Sequence, residues 1–175
     1  NARAEGLTVV PGLIDVHLHG CAGADFLDRT PECLATISAQ AAKGGATTIL
    51  ATTTLPEDDT NLESFARLVD MIREINSESG KLKVPGARIL GLHLEGPWLN
   101  PEKRGSFGFK YIRPIDLKTA DKVLDIAGDL IYKVTMAPEI PGGAELVEML
   151  TTDPRSRADV SLAHSTISYT EACRY

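Results

Sequence analysis

The chain alternates between two hydrophobic rhythms. Short apolar runs rich in Val, Ile, Leu and Thr predict strands at Leu7–Val16, Ala46–Thr52, Ala87–Leu94, Leu130–Met136 and Ala158–Ala163, each bounded by Gly, Pro or charge. Between them lie segments with helical spacing. In "NLESFARLVDMIREI", Leu62, Phe65, Leu68, Val69, Ile72 and Ile75 recur at intervals of three and four, so one face of a helix is apolar. Pro31–Lys43 reads as another helix, with Thr30 as N-cap, Pro31 at the first helical position and Gly44 closing it. Two more run from about Asp116 to Ala127 and from Gly143 to Leu150. A fifth begins near Ser168, where "SYTEA" sets Glu171 three residues after Ser168, the capping-box spacing.

This β-α repetition predicts a parallel sheet with crossover helices. About five β/α units fit part of a TIM-like (β/α)8 barrel, which needs eight units and typically about 250 residues. A five-stranded doubly wound sheet suits the length, but it usually carries a glycine-rich phosphate loop after its first strand, and "HGCAGADF" has no GxGxxG. No low-complexity linker divides the chain. It begins at Asn1 and ends at "YTEACRY", which reads as the first turns of a helix, so residues 1–175 are expected to be a partial barrel cut at both ends.

Composition narrows the class. With 43% hydrophobic residues among 175, the chain can bury a core, and disorder is not expected. A net charge of −6 argues against a general nucleic-acid or membrane-surface partner. No apolar run approaches the roughly 18 residues needed to span a bilayer, and no secretory signal is visible. Cys21, Cys33 and Cys173 are an odd, widely spaced set without a CxxC, which predicts free thiols in a reducing compartment, with cytoplasm the default.

The polar residues suggest chemistry. All four histidines, His17, His19, His93 and His164, fall at or near the carboxyl ends of expected strands, the rim where parallel α/β folds build their sites. In "VVPGLIDVHLHG", His17 and His19 are two apart and project to one side of a strand, with Val16 and Leu18 opposite. In "LGLHLEGPWLNP", His93 and Glu95 share a parity. Two imidazoles, a carboxylate and a third imidazole on one rim form a donor set for Zn, Fe or Mn, so the metal ligands are expected to be His17, His19, Glu95 and His164. His93 is expected just behind them, orienting Glu95 or a water. The run containing Lys103, Arg104, Lys110 and Arg113 either draws an anionic substrate or is a solvated face. Thr52, Thr53 and Thr54 either line the pocket or reflect strand propensity.

"PGLIDVHLHG" resembles the first-strand metal motif of the amidohydrolase superfamily, and "HLEGPWLNPEKRGSF" is similar to the hallmark of its N-acetylglucosamine-6-phosphate deacetylases. "VTMAPE" and "AHS" match two further segments of that family in order. The resemblance implies a TIM-like barrel and metal-dependent hydrolysis of the acetamide of N-acetylglucosamine 6-phosphate, giving glucosamine 6-phosphate and acetate. It also implies one or two divalent ions per site and a homodimer. Glu95 and His164 carry over as ligands, and His17 and His19 as ligands in those members that hold two ions. Where the family usually has Lys-Gly-Ala-His, this chain has Arg104-Gly105-Ser106-Phe107, so Ser106 and Phe107 stand at the substrate contact with one contact altered. The family's Gly-His-Ser appears as Ala163-His164-Ser165. The family's remaining metal histidine and its catalytic aspartate would lie beyond Tyr175, so no catalytic acid/base is assigned and the chain alone is expected to be inactive. Two other readings remain: an amidohydrolase acting on a different N-acetylated sugar or cyclic amide, and a non-catalytic metal-binding piece that folds with a partner.

Overall fold

The computed structural model describes residue 6, residues 8–55 and residues 58–175. Five parallel strands, β1 (Leu13–Leu18), β2 (Ala46–Thr53), β3 (Arg88–Glu95), β4 (Ile131–Met136) and β5 (Asp159–Leu162), form one sheet in sequential order. That order decides the architecture. Right-handed crossovers that always step the same way place their helices on one face, and strand twist then curls the sheet around the other. A doubly wound sheet would reverse direction part-way. The result is a curled half-barrel, as the β-α repetition predicted.

The helices are α1 (Pro31–Lys43), α2 (Glu63–Asn76), α3 (Leu117–Ala127), α4 (Gly143–Thr152) and the short α5 (Tyr169–Ala172). The core lies between them and the convex face of the sheet. Ile49, Leu92, Leu94 and Val134 of the strands meet Leu34, Phe65, Ile72 and Leu146 of the helices, all fully buried. The apolar stripe of α2 does what its spacing suggested, with Phe65, Leu68, Val69 and Ile72 inaccessible to solvent. Thr30 caps α1 by accepting from the Cys33 backbone N–H at 3.2 Å, and the Ser168–Glu171 capping box forms at α5.

Most element boundaries fall within two residues of expectation, and one strand departs further. The first strand was expected from Leu7 to Val16. Leu7 lies outside the described residues, and pairing runs from Leu13 to Leu18, because the neighbouring ladder starts only at Ala46 and Gly45 accepts the Leu13 N–H. Val9 and Val10 therefore stay exposed despite their apolar side chains. A short antiparallel ladder, Gly20–Cys21 with Ala24–Asp25, follows β1, and a single 3-10 turn then buries Phe26. Among the described residues no helix is long and apolar enough to cross a membrane.

Candidate metal centre

Glu95 ends β3, and its carboxylate is almost wholly buried at 4% exposure. Gly96 follows with φ +72°, a conformation that costs glycine little, and turns the chain away at once. Three imidazoles close on the carboxylate from two directions. His19 Nε2 lies 2.6 Å and His17 Nε2 3.3 Å from Oε2, while His164 Nε2 lies 3.1 Å from Oε1. Donor atoms of His17, His19 and Glu95 all fall within 4.8 Å of one another.

Local backbone features aim these side chains. Between Asp15 and Leu18, three steps along β1 match two along β2, so β1 carries one extra residue. Such a bulge re-aims side chains. Leu18 packs against the core, whereas both Val16 and His17 face the concave side, Val16 lining a hollow with Ile14, Leu50 and Leu90. Val16 is thus not on Leu18's side, as strict alternation would have it. His19 is pinned by its carbonyl, which accepts the Phe26 N–H at 2.9 Å. His164, just past β5, has φ +51° and is held by Lys103 O, 2.8 Å from its Nδ1.

His93 is fully buried one level below Glu95. Its Nδ1 faces the Val16 carbonyl at 3.0 Å and its Nε2 the Thr135 hydroxyl at 2.8 Å, and its ring stands edge-on to His17, 4.8 Å between centroids. It makes no hydrogen bond to Glu95; what it braces is the bulge and the His17 ring. Thr52 belongs to the same brace, accepting the Leu18 N–H at 2.8 Å. Phe107 stands edge-on to both His164 and His19, and with Ser106, Thr54 and Tyr111 it lines a hollow of about 180 Å³ beside His19. The cationic run is partly spoken for, with Arg104 over the Phe109 ring and Lys110 over Tyr111.

The electrostatics follow from this packing. Burial pushes the Glu95 carboxyl up, but the His19 hydrogen bond and the nearby His17 imidazole outweigh it and hold it at about 2. The Glu95 hydrogen bond raises His19. Burial, reinforced by His17, lowers His93 to about 4, so His93 is neutral.

The donor set fits a divalent cation on its own chemistry. Lys103 O can only accept, so Nδ1 of His164 carries the proton and a neutral ring turns its Nε2 lone pair toward Glu95 Oε1, acceptor against acceptor. A divalent ion satisfies neutral imidazoles and carboxylate together.

The fold and site place the chain in a known class. The sequence signature of the amidohydrolase family matches residues 8–152, and the chain belongs to that family. It is 36% identical over 142 residues to the N-acetylglucosamine-6-phosphate deacetylase of Bacillus subtilis, covering 81% of this chain and 35% of that protein. To the N-acetylgalactosamine-6-phosphate deacetylase of Escherichia coli O157:H7 it is 28% identical over 160 residues, covering 91% of this chain and 39% of that protein. The solved N-acetyl-D-glucosamine-6-phosphate deacetylase of Mycobacterium smegmatis superposes with a TM-score of 0.76 at 28% identity, covering 93% of this chain and 39% of that one. The chain therefore spans between a third and two fifths of the length of these relatives.

Sequence reading missed the bracing groups. Thr135 and the Lys103 carbonyl carry no pattern that marks them. Glu139 was in view within "VTMAPE" but had no role attached; it turns out to bind the loops around His164.

Proposed function

We propose that this chain supplies the metal-holding half of a deacetylase that hydrolyses the acetamide of an N-acetylamino-sugar 6-phosphate, N-acetylglucosamine 6-phosphate first among them. One observation carries the reading: a single buried carboxylate shares its two oxygens between a His17–His19 pair and His164. His17, His19 and Glu95 would hold one ion, and Glu95 with His164 would complete that site or begin a second. When bound, a divalent ion of the Zn, Fe or Mn type supplies Lewis acidity toward water and toward the amide carbonyl. The protein's own residues supply orientation. Glu95, held ionised, would bring the cation a formal negative charge, and the imidazoles would bring neutral nitrogen lone pairs. Phe107, Ser106, Thr54 and Tyr111 bound the hollow in which the acyl or sugar portion would lie. Cys21, Cys33 and Cys173, all free thiols, support a reducing, cytoplasmic setting.

The test is acetate release by the metal-loaded gene product from N-acetylglucosamine 6-phosphate, its galacto epimer and unphosphorylated N-acetylglucosamine. Release from the phosphorylated sugars is expected. A protein that binds metal yet cleaves none of them would overturn the substrate assignment. Phe107 favours a second reading, an amidohydrolase acting on another N-acetylated sugar or on a cyclic amide, because an apolar ring offers a sugar hydroxyl no hydrogen bond. Turnover of such compounds alone would establish it.

A further inference from the structure

We propose that Glu139 is a positioning residue, holding His164 in the orientation by which it faces Glu95; the inference rests on the metal-centre reading above. Glu139 follows β4, yet its carboxylate binds the loops after β3 and β5. Oε1 accepts from Asn100 Nδ2 at 2.8 Å, from the Thr166 backbone N–H at 2.8 Å and from the Thr166 hydroxyl at 3.2 Å, while Oε2 accepts from the Ser165 hydroxyl at 2.6 Å.

Every one of those partners leads directly to His164. Ser165 and Thr166 are the next two residues of the chain. The Asn100 backbone N–H donates to the His164 carbonyl at 3.0 Å. Asn100 also caps the turn Pro101–Lys103, accepting from the Glu102 N–H at 2.9 Å, and that turn presents the Lys103 carbonyl to His164 Nδ1. His164 is thus gripped at its carbonyl, at its ring and along the chain that follows, by segments that Glu139 ties together.

The grip answers a specific need. At φ +51°, His164 occupies a left-handed conformation that a residue with a Cβ adopts only when its surroundings enforce it. Relaxation to an extended backbone would swing the imidazole away from Glu95 and free Nδ1 from Lys103. Four donors converge on Glu139, so an ionised carboxylate is the group they call for. An amide keeps one acceptor oxygen, and a methyl keeps none.

The test measures Zn²⁺ affinity by chelator competition in the wild-type protein and in Glu139→Ala, Glu139→Gln, His164→Ala and the Glu139→Ala/His164→Ala double variant. Folding is checked by circular dichroism. Groups that orient a ligand imidazole typically alter metal affinity about 10- to 100-fold. Glu139→Ala is therefore expected to weaken Zn²⁺ by that factor, with Glu139→Gln intermediate. In the His164→Ala background, Glu139→Ala should cost nothing further, an outcome that a merely structural role would not produce. The metal-free protein gives a second readout. Ring ¹⁵N shifts should report a proton on Nδ1 of His164 in the wild type and a mixed tautomer in Glu139→Ala. If Glu139→Ala does not fold, Glu139→Gln carries the same comparisons. Unchanged affinity, equal losses in both backgrounds, or an unchanged tautomer would overturn the proposal. A wild-type protein that binds no Zn²⁺ would instead overturn the metal-centre reading, and the tautomer measurement would still decide whether Glu139 orients His164.

Discussion

Removing Asp59 should cost the fold more than any exposed ion pair could. Arg29 and Asp59 pair at 3.3 Å with side chains only 7% and 8% exposed. Asp59 also caps α2, whose own cap position, Leu62, has φ +58° and no side-chain acceptor; the Ser64 and Phe65 N–H groups donate to Asp59 at 3.2 and 3.0 Å. Asp59→Ala leaves a buried guanidinium without its counterion, about 3–5 kcal/mol, and removes a cap, about 1 kcal/mol. Arg29 keeps the Thr54 carbonyl at 3.3 Å, which favours the lower end, so we expect roughly 4 kcal/mol of a total near 5–15. Urea melts measure it, provided the slope is unchanged. Arg29→Met/Asp59→Leu should recover the pairing loss and retain only the cap's, about 1 kcal/mol. Burial pushes the Asp59 carboxyl up, but hydrogen bonds from Ser64 and Phe65 and the charge of Arg29 bring it below the ordinary range. A depressed carboxyl stabilises the fold at neutral pH and loses that contribution as pH falls below about 4, so Asp59→Asn should flatten the acid limb. A loss under about 1 kcal/mol for Asp59→Ala, or a double variant as unstable as the single, would refute the reasoning.

Two further perturbations address the site and its scaffold. Glu95→Ala should purify with far less divalent metal than the wild type by elemental analysis, and chelation should lower the wild-type melting midpoint while leaving the variant's unchanged; free ion at a hundredfold excess over Kd stabilises by about 2.7 kcal/mol. Equal metal content in both proteins would remove Glu95 from the ligand set. Gly91→Ala places a Cβ 2.4 Å from the Leu130 carbonyl oxygen and 2.7 Å from the Tyr132 ring, so β3 and β4 must separate; a loss of about 1–3 kcal/mol in urea melts is expected, and neutrality would contradict that packing.

Much of the fold was legible because its signals are local. The α1 boundaries, the Thr30 cap and the Ser168–Glu171 box depend on neighbours within four residues, and each forms where its pattern stands. The histidine set was legible for a related reason: a strand tip is marked by the turn residues that end it. What stayed hidden depends on partners distant in sequence. Val9 and Val10 are apolar and β-branched, yet nothing in their own segment says that the adjacent strand begins only at Ala46. The role of Asp59 as a cap three residues ahead of Leu62 depends on a left-handed residue that no leucine announces. Glu139 could not be assigned because its four donors come from loops 39 residues before it and 26 to 27 residues after it.

Register explains why these particular groups meet. Four ladder shifts, at Leu13/Ile14, between Asp15 and Leu18, at Ile49/Leu50 and at Leu92/His93, lie below the rim, and beyond them the pairings of β3 with its neighbours run one for one. Thr52, His93, Lys133 and Asp159 consequently share one level, and Glu95, Thr135 and Ser161 share the level that lies two residues above it along each strand. Side chains two apart on a strand point the same way, so the neutral His93 sits directly beneath the ionised Glu95 and is tied to Thr135 on Glu95's own level. The extra residue in β1 then delivers His17 toward Oε2, and the left-handed turn after β5 returns His164 toward Oε1. A period of two in the sequence reveals which residues share a face, but not these offsets. The convergence on Glu95 is therefore a property of the ladders, and a one-residue slip in any of them would leave the carboxylate buried beside the wrong neighbours.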